Sequence, residues 1–457
     1  MRHALTAALL ATTLFTLPTA AHAQAMTAEE AADLRAQIAA LKGQVQMLET
    51  RLDAAMGQPA PPPVAAPASP APAAPAAAAK PATEIVWKGA PELKTADGWS
   101  FKPRGRMQVD VASIDAPAGV TNTRGGVATE FRRIYLGVDG KIPGGFAYRA
   151  EADFANSGVE LADVYLTYGP GPFSVTAGQI KPFWSLDELT SDLFNSFTER
   201  AAFTQAFNFK RRVGLSGQYK GKAFLLQGGI FGDNANDLLS DTNNSFSLDG
   251  RAVWMPRLGD TQLHLAGSAH WRQLNDGPSG VRYAPRPFVH TTDARLVDTG
   301  VFAVSSERGL GLEGAVLRGP FHVASEAYWQ KASRPGFANP TFFGGYAEVG
   351  YVLTRGDSRG YKDGAFDRLS PKRPITEGGP GAIEINARYD HLDLNDAGIV
   401  GGRQRTLGVS LVWAPISYVR LTANYGHLMV DDAALGTVTG DRDYSADAFG
   451  LRTQFDF

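Results

Sequence analysis

From about residue 99 onward, apolar and polar residues alternate one by one along most of this chain. In Arg133-Ile134-Tyr135-Leu136-Gly137-Val138-Asp139, the apolar Ile134, Leu136 and Val138 alternate with Arg133, Tyr135 and Asp139. The next run sets Phe146, Tyr148, Ala150, Ala152 and Phe154 against Arg149, Glu151 and Asp153, and Val164, Leu166 and Tyr168 then oppose Asp163, Tyr165 and Thr167. Side chains of a strand point to opposite faces in turn, so each run has one greasy and one wet face. The joints Lys141-Ile142-Pro143-Gly144-Gly145 and Gly169-Pro170-Gly171-Pro172 are tight turns rather than crossovers.

Sixteen such runs fall near 100–112, 129–140, 145–154, 160–169, 172–180, 211–221, 223–232, 246–256, 260–272, 306–318, 320–332, 341–354, 381–392, 404–414, 418–430 and 443–457. Alternating segments of about ten residues separated by turns predict an all-β, antiparallel transmembrane barrel with lipid outside and water inside. An even count of sixteen leaves an aqueous channel rather than a filled interior. The last run, Phe449 to Phe457, keeps apolar residues at every second position and closes the cylinder, removing a free edge. Short joints alternate with long ones, with one departure. Residues 355–380 fall on the short-turn side, yet they are long and carry Lys362, Arg368, Lys372 and Arg373.

The remainder of the chain divides into three parts. Residues 1–23 read as a signal peptide, with Arg2, an apolar Ala4–Leu17 stretch and Ala21-His22-Ala23 at the cleavage site. Residues 24–57 predict a helix, because Leu34, Ile38, Leu41, Val45, Leu48 and Leu52 form the a/d seam of a short coiled coil. An amphipathic helix on the periplasmic rim fits the same spacing. Residues 58–98 are a Pro/Ala-rich linker and lead-in, a semi-rigid spacer up to the barrel at 99–457. Coil and spacer together suggest a tether toward peptidoglycan and an oligomer, most simply a homotrimer.

Composition sharpens this only slightly. The 50 glycines and 25 phenylalanines suit tight turns and aromatic girdles, and a net charge of −2 points to no nucleic-acid partner. With no cysteine there is no thiolate metal site or Cys nucleophile. Mean hydropathy of −0.17 is uninformative, since every second wall residue of a barrel faces water. A barrel enzyme needs a nucleophile, a histidine and an orienting group together. The eight histidines show no such pairing, and neither G-x-S-x-G nor H-E-x-x-H occurs. No motif implies a cofactor or metal.

By alternation, Arg104, Arg106, Arg133, Arg149, Arg251, Arg272, Arg388, Arg420 and Arg452 face the lumen, and a row of arginines is what anion passage needs. Asp110, Asp139, Glu151, Asp153, Asp163, Glu313, Glu326, Glu348, Glu384 and Asp390 face the same way, so charge alone leaves selectivity open. The longest insertion, 181–210, is too aromatic for a free surface tip. Its Phe183, Trp184, Leu186, Leu189, Phe194 and Phe197 predict packing on the inner wall, which narrows the pore; packing on itself or on a neighbouring subunit is the alternative.

Several blocks in order, Arg132-Arg133-Ile-Tyr-Leu-Gly-Val, Gly178-Gln-Ile-Lys-Pro-Phe, Leu186-Asp-Glu-Leu-Thr-Ser191, Phe197-Thr-Glu199-Arg200 and Gly381 to Asp396, resemble the phosphate-selective porins O and P over residues 99–457. The resemblance implies a trimeric sixteen-stranded outer-membrane channel for small inorganic anions, with a third loop folded inward. It implies that Arg200 is the constriction arginine, that Ser191 is a hydroxyl donor to the anion, and that Arg132 and Arg133 belong to an arginine ladder. Tyr135, Arg104, Arg106, Arg149, Asp163, Lys181 and Arg388 are then expected to line the pore. The chain departs from the phosphate-specific pattern where Glu188 and Leu193 stand in place of loop lysines and Asp192 in place of the second serine. A carboxylate about 4 Å from a bound anion opposes it by about 4 kcal/mol at an effective dielectric of about 20.

Overall fold

The computed structural model describes residues 83–120, 126–155, 158–237, 245–274 and 279–457, together with Lys42 and Gln46. The chain divides into two units, residues 1–78 and 79–457. In the first, Lys42 and Gln46 are helical and exposed. The signal peptide, the rest of the coiled-coil seam and most of the Pro/Ala spacer lie outside the described residues.

The second unit is a closed barrel of sixteen antiparallel strands. They are β1 (Ser100–Asp115), β2 (Val127–Ile142), β3 (Phe146–Asp153), β4 (Glu160–Tyr168), β5 (Phe173–Ile180), β6 (Arg212–Lys220), β7 (Phe224–Phe231) and β8 (Phe246–Trp254), followed by β9 (Thr261–Gln273), β10 (Ser306–Arg318), β11 (Phe321–Ser333), β12 (Thr341–Val352), β13 (Ala382–Asp396), β14 (Ile399–Ile416), β15 (Val419–Asp431) and β16 (Tyr444–Asp456). All sixteen expected runs are strands. Each pairs with the next, and β16 returns to β1 with Arg452 opposite Asp110 and Gln454 opposite Gln108. The seam leaves no open edge in the barrel.

The alternation has the expected sense. Along β11, Phe321, Val323 and Trp329 are exposed on the outside while His322, Glu326 and Gln330 are buried within. Leu310 and Leu312 on β10 and Leu407, Val409 and Leu411 on β14 extend the apolar exterior. Such a continuous apolar belt is a liability in water and the natural surface of a protein bounded by lipid.

One element was not legible in the sequence. Inside the stretch read as linker and lead-in, Thr83–Lys88 and Ala90–Thr95 form an antiparallel hairpin that continues the sheet, pairing Leu93 with Phe101 and Lys94 with Ser100. Its turn is Gly89, at φ 79°, a conformation that costs glycine little.

Much of the interior is filled. The segment 181–211 between β5 and β6 turns inward and carries two short helices, α1 (Leu186–Leu189) and α2 (Ala202–Phe207). Trp184, Leu186, Phe197, Phe203, Phe207 and Phe209 are buried in one cluster with wall residues of β10 to β16 and β1. Phe203 stacks on Tyr328 and Tyr346 with centroids 6.1 and 6.3 Å apart, and Trp184 meets Tyr328 edge-on at 5.0 Å. The segment between β9 and β10 adds Phe288 against Phe197, at 5.6 Å. The long joint between β12 and β13 contributes Phe366, buried beside His322. These three segments press against β9 to β16 and leave a passage along β1 to β4.

Candidate functional site inside the barrel

The passage is a cavity of about 810 Å³. Its lining includes thirteen Lys and Arg side chains against nine Asp and Glu, in a chain whose net charge is −2. Strand period places five of these cations, Lys102, Arg104, Arg106, Arg133 and Arg149. Lys102, Arg104 and Arg106 follow one another at every second position of β1 and look inward. Arg132 and Arg133 are neighbours, and strict alternation would turn one of them outward. The register between β1 and β2 shifts there, pairing Gln108 with Arg133 and Val109 with Phe131. This bulge leaves Arg132 without a partner across the ladder and lets both arginines line the cavity.

The inward loop is fixed by wall side chains. Glu326 accepts from the Leu186 and Asp187 amides at 3.0 and 2.7 Å, holding the start of α1, while Ser185 Oγ caps the Glu188 amide at 3.1 Å. Arg420 donates to the Leu193 carbonyl at 2.7 Å and Arg452 to the Thr198 carbonyl at 2.6 Å. Within the loop, Arg200 donates to the carbonyls of Asp187 and Thr190, both at 2.9 Å, and to that of Glu188 at 3.3 Å.

Each loop acid at the cavity is matched to cations. Glu188 bridges Lys181 at 2.7 Å and Arg200 at 3.3 Å. Asp192 binds Arg133 Nε at 2.6 Å and also Arg106. Glu199 meets Arg132 at 3.0 Å and Arg452 at 3.1 Å. Burial alone would raise these carboxyls, but the facing guanidiniums outweigh it: Arg106 and Arg133 hold Asp192 well below the usual range, and Arg132 and Arg452 do the same for Glu199. Lys181 is also displaced. Burial, then the Arg200 guanidinium, push its ammonium down to about 8.

The candidate residues separate into two groups. Arg200, Ser191, Arg132, Arg133, Arg104, Arg106, Tyr135, Arg149, Asp163 and Lys181 all line the cavity. Arg104 and Arg149 share Asp139 at 2.7 Å each, and Arg106 lies over the Tyr135 ring at 4.7 Å. Ser191 Oγ accepts from the Leu193 amide at 3.4 Å. Arg388 is placed differently. It is buried outside the cavity lining, bound to Glu348 at 2.8 Å and stacked on Phe197 at 4.3 Å. Its inward direction was legible, but which wall residues the inward loop would cover was not. Arg251 and Arg452 are likewise occupied, with Glu313 at 2.6 Å and Asp110 at 2.7 Å.

Further cavity residues come from irregular segments with no period to betray them. Arg286, His290 and Arg295 reach in from the joint between β9 and β10, and Arg368 from the joint between β12 and β13. A smaller cavity of about 320 Å³ adjoins the first at Asp163 and Lys181 and is lined by Tyr165, Thr167, Ser174, Thr176 and Ser216.

A closed sixteen-stranded barrel with an apolar exterior, an inward constriction loop and a charged passage defines an outer-membrane porin. The sequence pattern of the phosphate-selective porin O and P family matches residues 101–457, and the chain belongs to that family. An uncharacterized protein of Caulobacter vibrioides is 46% identical over 472 residues, covering 98% of this chain and 95% of that one. Among solved structures, the trimer form of OmpT, an outer membrane protein of Vibrio cholerae, superposes with TM-score 0.52 at 10% identity, covering 79% of this chain and 100% of that one. An anion-selective porin from Comamonas acidovorans gives TM-score 0.50 at 12% identity, with the same coverages. At such identities these two likenesses speak to the barrel fold.

Proposed function

We propose that small oxyanions, phosphate or short polyphosphate, diffuse through the cationic passage and are selected at the loop 181–211. The observation that carries this is the charge of the cavity wall, thirteen basic side chains against nine acidic ones in a chain of net charge −2. Cations lining a narrow, partly desolvated channel raise the local concentration of anions and repel cations. The anion selectivity of the Comamonas acidovorans porin and the phosphate selectivity for which the family is named support the reading. Family membership likewise favours a channel over the enzymatic alternative.

Wall and loop arginines are assigned the oxyanion contacts, with Arg132 and Arg133 on the wall beside the loop, Arg200 within it and Ser191 as a hydroxyl beside them. Assembly as a homotrimer in lipid fits the short-strand side, β3 to β7, where strands run 8 or 9 residues. The segment 24–57 is assigned a periplasmic role, as a coiled coil or a peptidoglycan tether, after export by the signal peptide.

Reversal potentials across planar bilayers in a KCl gradient test the central claim. Chloride preference is expected in the wild-type protein, and preference for potassium would overturn it.

A further inference from the structure

We infer that the Asp192 carboxylate is a tethered counter-anion seated on the wall arginines, and that it sets how tightly this channel holds phosphate. The inference rests on the anion-channel reading above and names the residue that tunes it. Asp192 Oδ2 lies 2.6 Å from Arg133 Nε, and Oδ1 accepts from Arg106 Nη1. These guanidiniums stand on the paired strands β1 and β2, and both line the cavity together with Asp192 itself. A carboxylate bridging two guanidinium forks uses the donor geometry that would grip a phosphate-like oxyanion.

The other ion-paired acids of the loop are placed otherwise. Glu188 joins Lys181 and Arg200, cations of its own segment. Glu199 divides itself between Arg132 and Arg452, and Arg452, shared with Asp110, stands outside the cavity lining. Asp192 alone among these three bridges two wall arginines that both face the passage. Ser191 Oγ stands 3.5 Å from Asp192 Oδ1, a hydroxyl that becomes available to a ligand when the carboxylate is gone.

An incoming phosphate therefore meets a seat already neutralised in part, and it must displace the carboxylate or sit beside a like charge. Either route weakens retention and favours rapid transit. Removing the charge at constant shape turns both guanidiniums toward the ligand, Arg106 keeping Glu151 at 3.3 Å and Arg133 the Gln108 side-chain oxygen at 2.9 Å.

The test is chloride current through the purified full chain in planar bilayers, titrated with inorganic phosphate. Asp192→Asn should lower the half-blocking phosphate concentration by about tenfold or more, and Asp192→Glu should return it toward the wild-type value. Block of the wild-type protein should need phosphate far above the micromolar range, a measurement that requires no variant to assemble. Wild-type block at about micromolar phosphate would overturn the inference. So would a conducting Asp192→Asn channel blocked no more tightly than wild type, since Asp192 would then only anchor the loop. Potassium preference in the wild type would remove the anion-channel reading itself, and this inference with it.

Discussion

Arg359 Nη1 donates to Ser196 Oγ at 2.6 Å, and its Nη2 to the Phe194 carbonyl at 2.5 Å. These contacts join two segments that enter the lumen from opposite ends, the loop after β5 and the joint between β12 and β13. The junction is extended by the Phe366 amide on Thr190 Oγ1 at 3.2 Å and by Arg368 over the Phe194 ring at 5.0 Å. Arg359 also faces the buried Glu384 at 3.3 Å. Arg359→Ala should strip Glu384 of its guanidinium partner, leaving it His322 at 3.4 Å, leave the loop carbonyl unpaired, and cost about 3 kcal/mol of barrel stability. It should also raise open-channel noise. Urea unfolding in detergent micelles and single-channel recording measure the two effects, and a variant unchanged in both would show that the segments hold their places independently.

Arg200 binds its own loop more than it binds free space. Its guanidinium gathers three carbonyls and the Glu188 carboxylate around the turn that presents Ser191 to the cavity. Arg200→Ala should weaken phosphate block of chloride current by about tenfold, since a hydrogen bond to a charged group contributes about 1.5–3 kcal/mol. Arg200→Lys should recover only part of this, because one ammonium cannot span the planar fork. Full recovery by lysine would mean that charge alone, and not loop shape, is what Arg200 supplies.

The regular parts of this molecule were readable because a strand of a lipid-facing barrel repeats every two residues, and burial on one side forces the repeat. All sixteen strands and the inward direction of Arg104, Arg106, Arg133 and Arg149 follow from that. Arg132 breaks the period, and only the bulge opposite Gln108 and Val109 explains why it shares the cavity. The fate of Arg388 depends on tertiary packing: alternation puts it inside, but the aromatic face of Phe197 covers it. The hairpin at Thr83–Thr95 was hidden by its neighbours, since a Pro/Ala stretch precedes it and each of its strands has six residues.

Gly344 on β12 lets α2 lie flat on the wall. A methyl added there would collide with Phe203 Cβ and press on Leu392 at 3.2 Å. A backbone-fixed Cβ cannot swing aside, so Gly344→Ala should push α2 into the passage and cost about 1–3 kcal/mol. Reduced single-channel conductance with a lower unfolding midpoint is the expected pair of observations. Unchanged conductance would indicate that the loop is set by its polar anchors, Glu326 and Arg420, rather than by this close approach.

Lys181 should make the channel sensitive to alkaline pH. Burial and Arg200 lower its ammonium to about 8, so it is charged at neutral pH and loses its proton as the pH rises past that value. The carboxyls of Glu188 and Asp192 are held below their usual range and stay ionised throughout, which leaves the constriction one positive charge poorer. Anion preference should therefore fall between about pH 7 and pH 9, by a few millivolts of reversal potential in a KCl gradient. Stability moves in the opposite sense. The unfolded chain keeps its lysine proton up to an ordinary lysine value of about 10.4, so between about pH 8 and that value it binds more protons than the folded chain, and folding gains as pH rises. Lys181→Met should abolish the selectivity step while leaving the neutral-pH conductance path intact. A step of the same size in that variant would assign the titration to another cation of the passage.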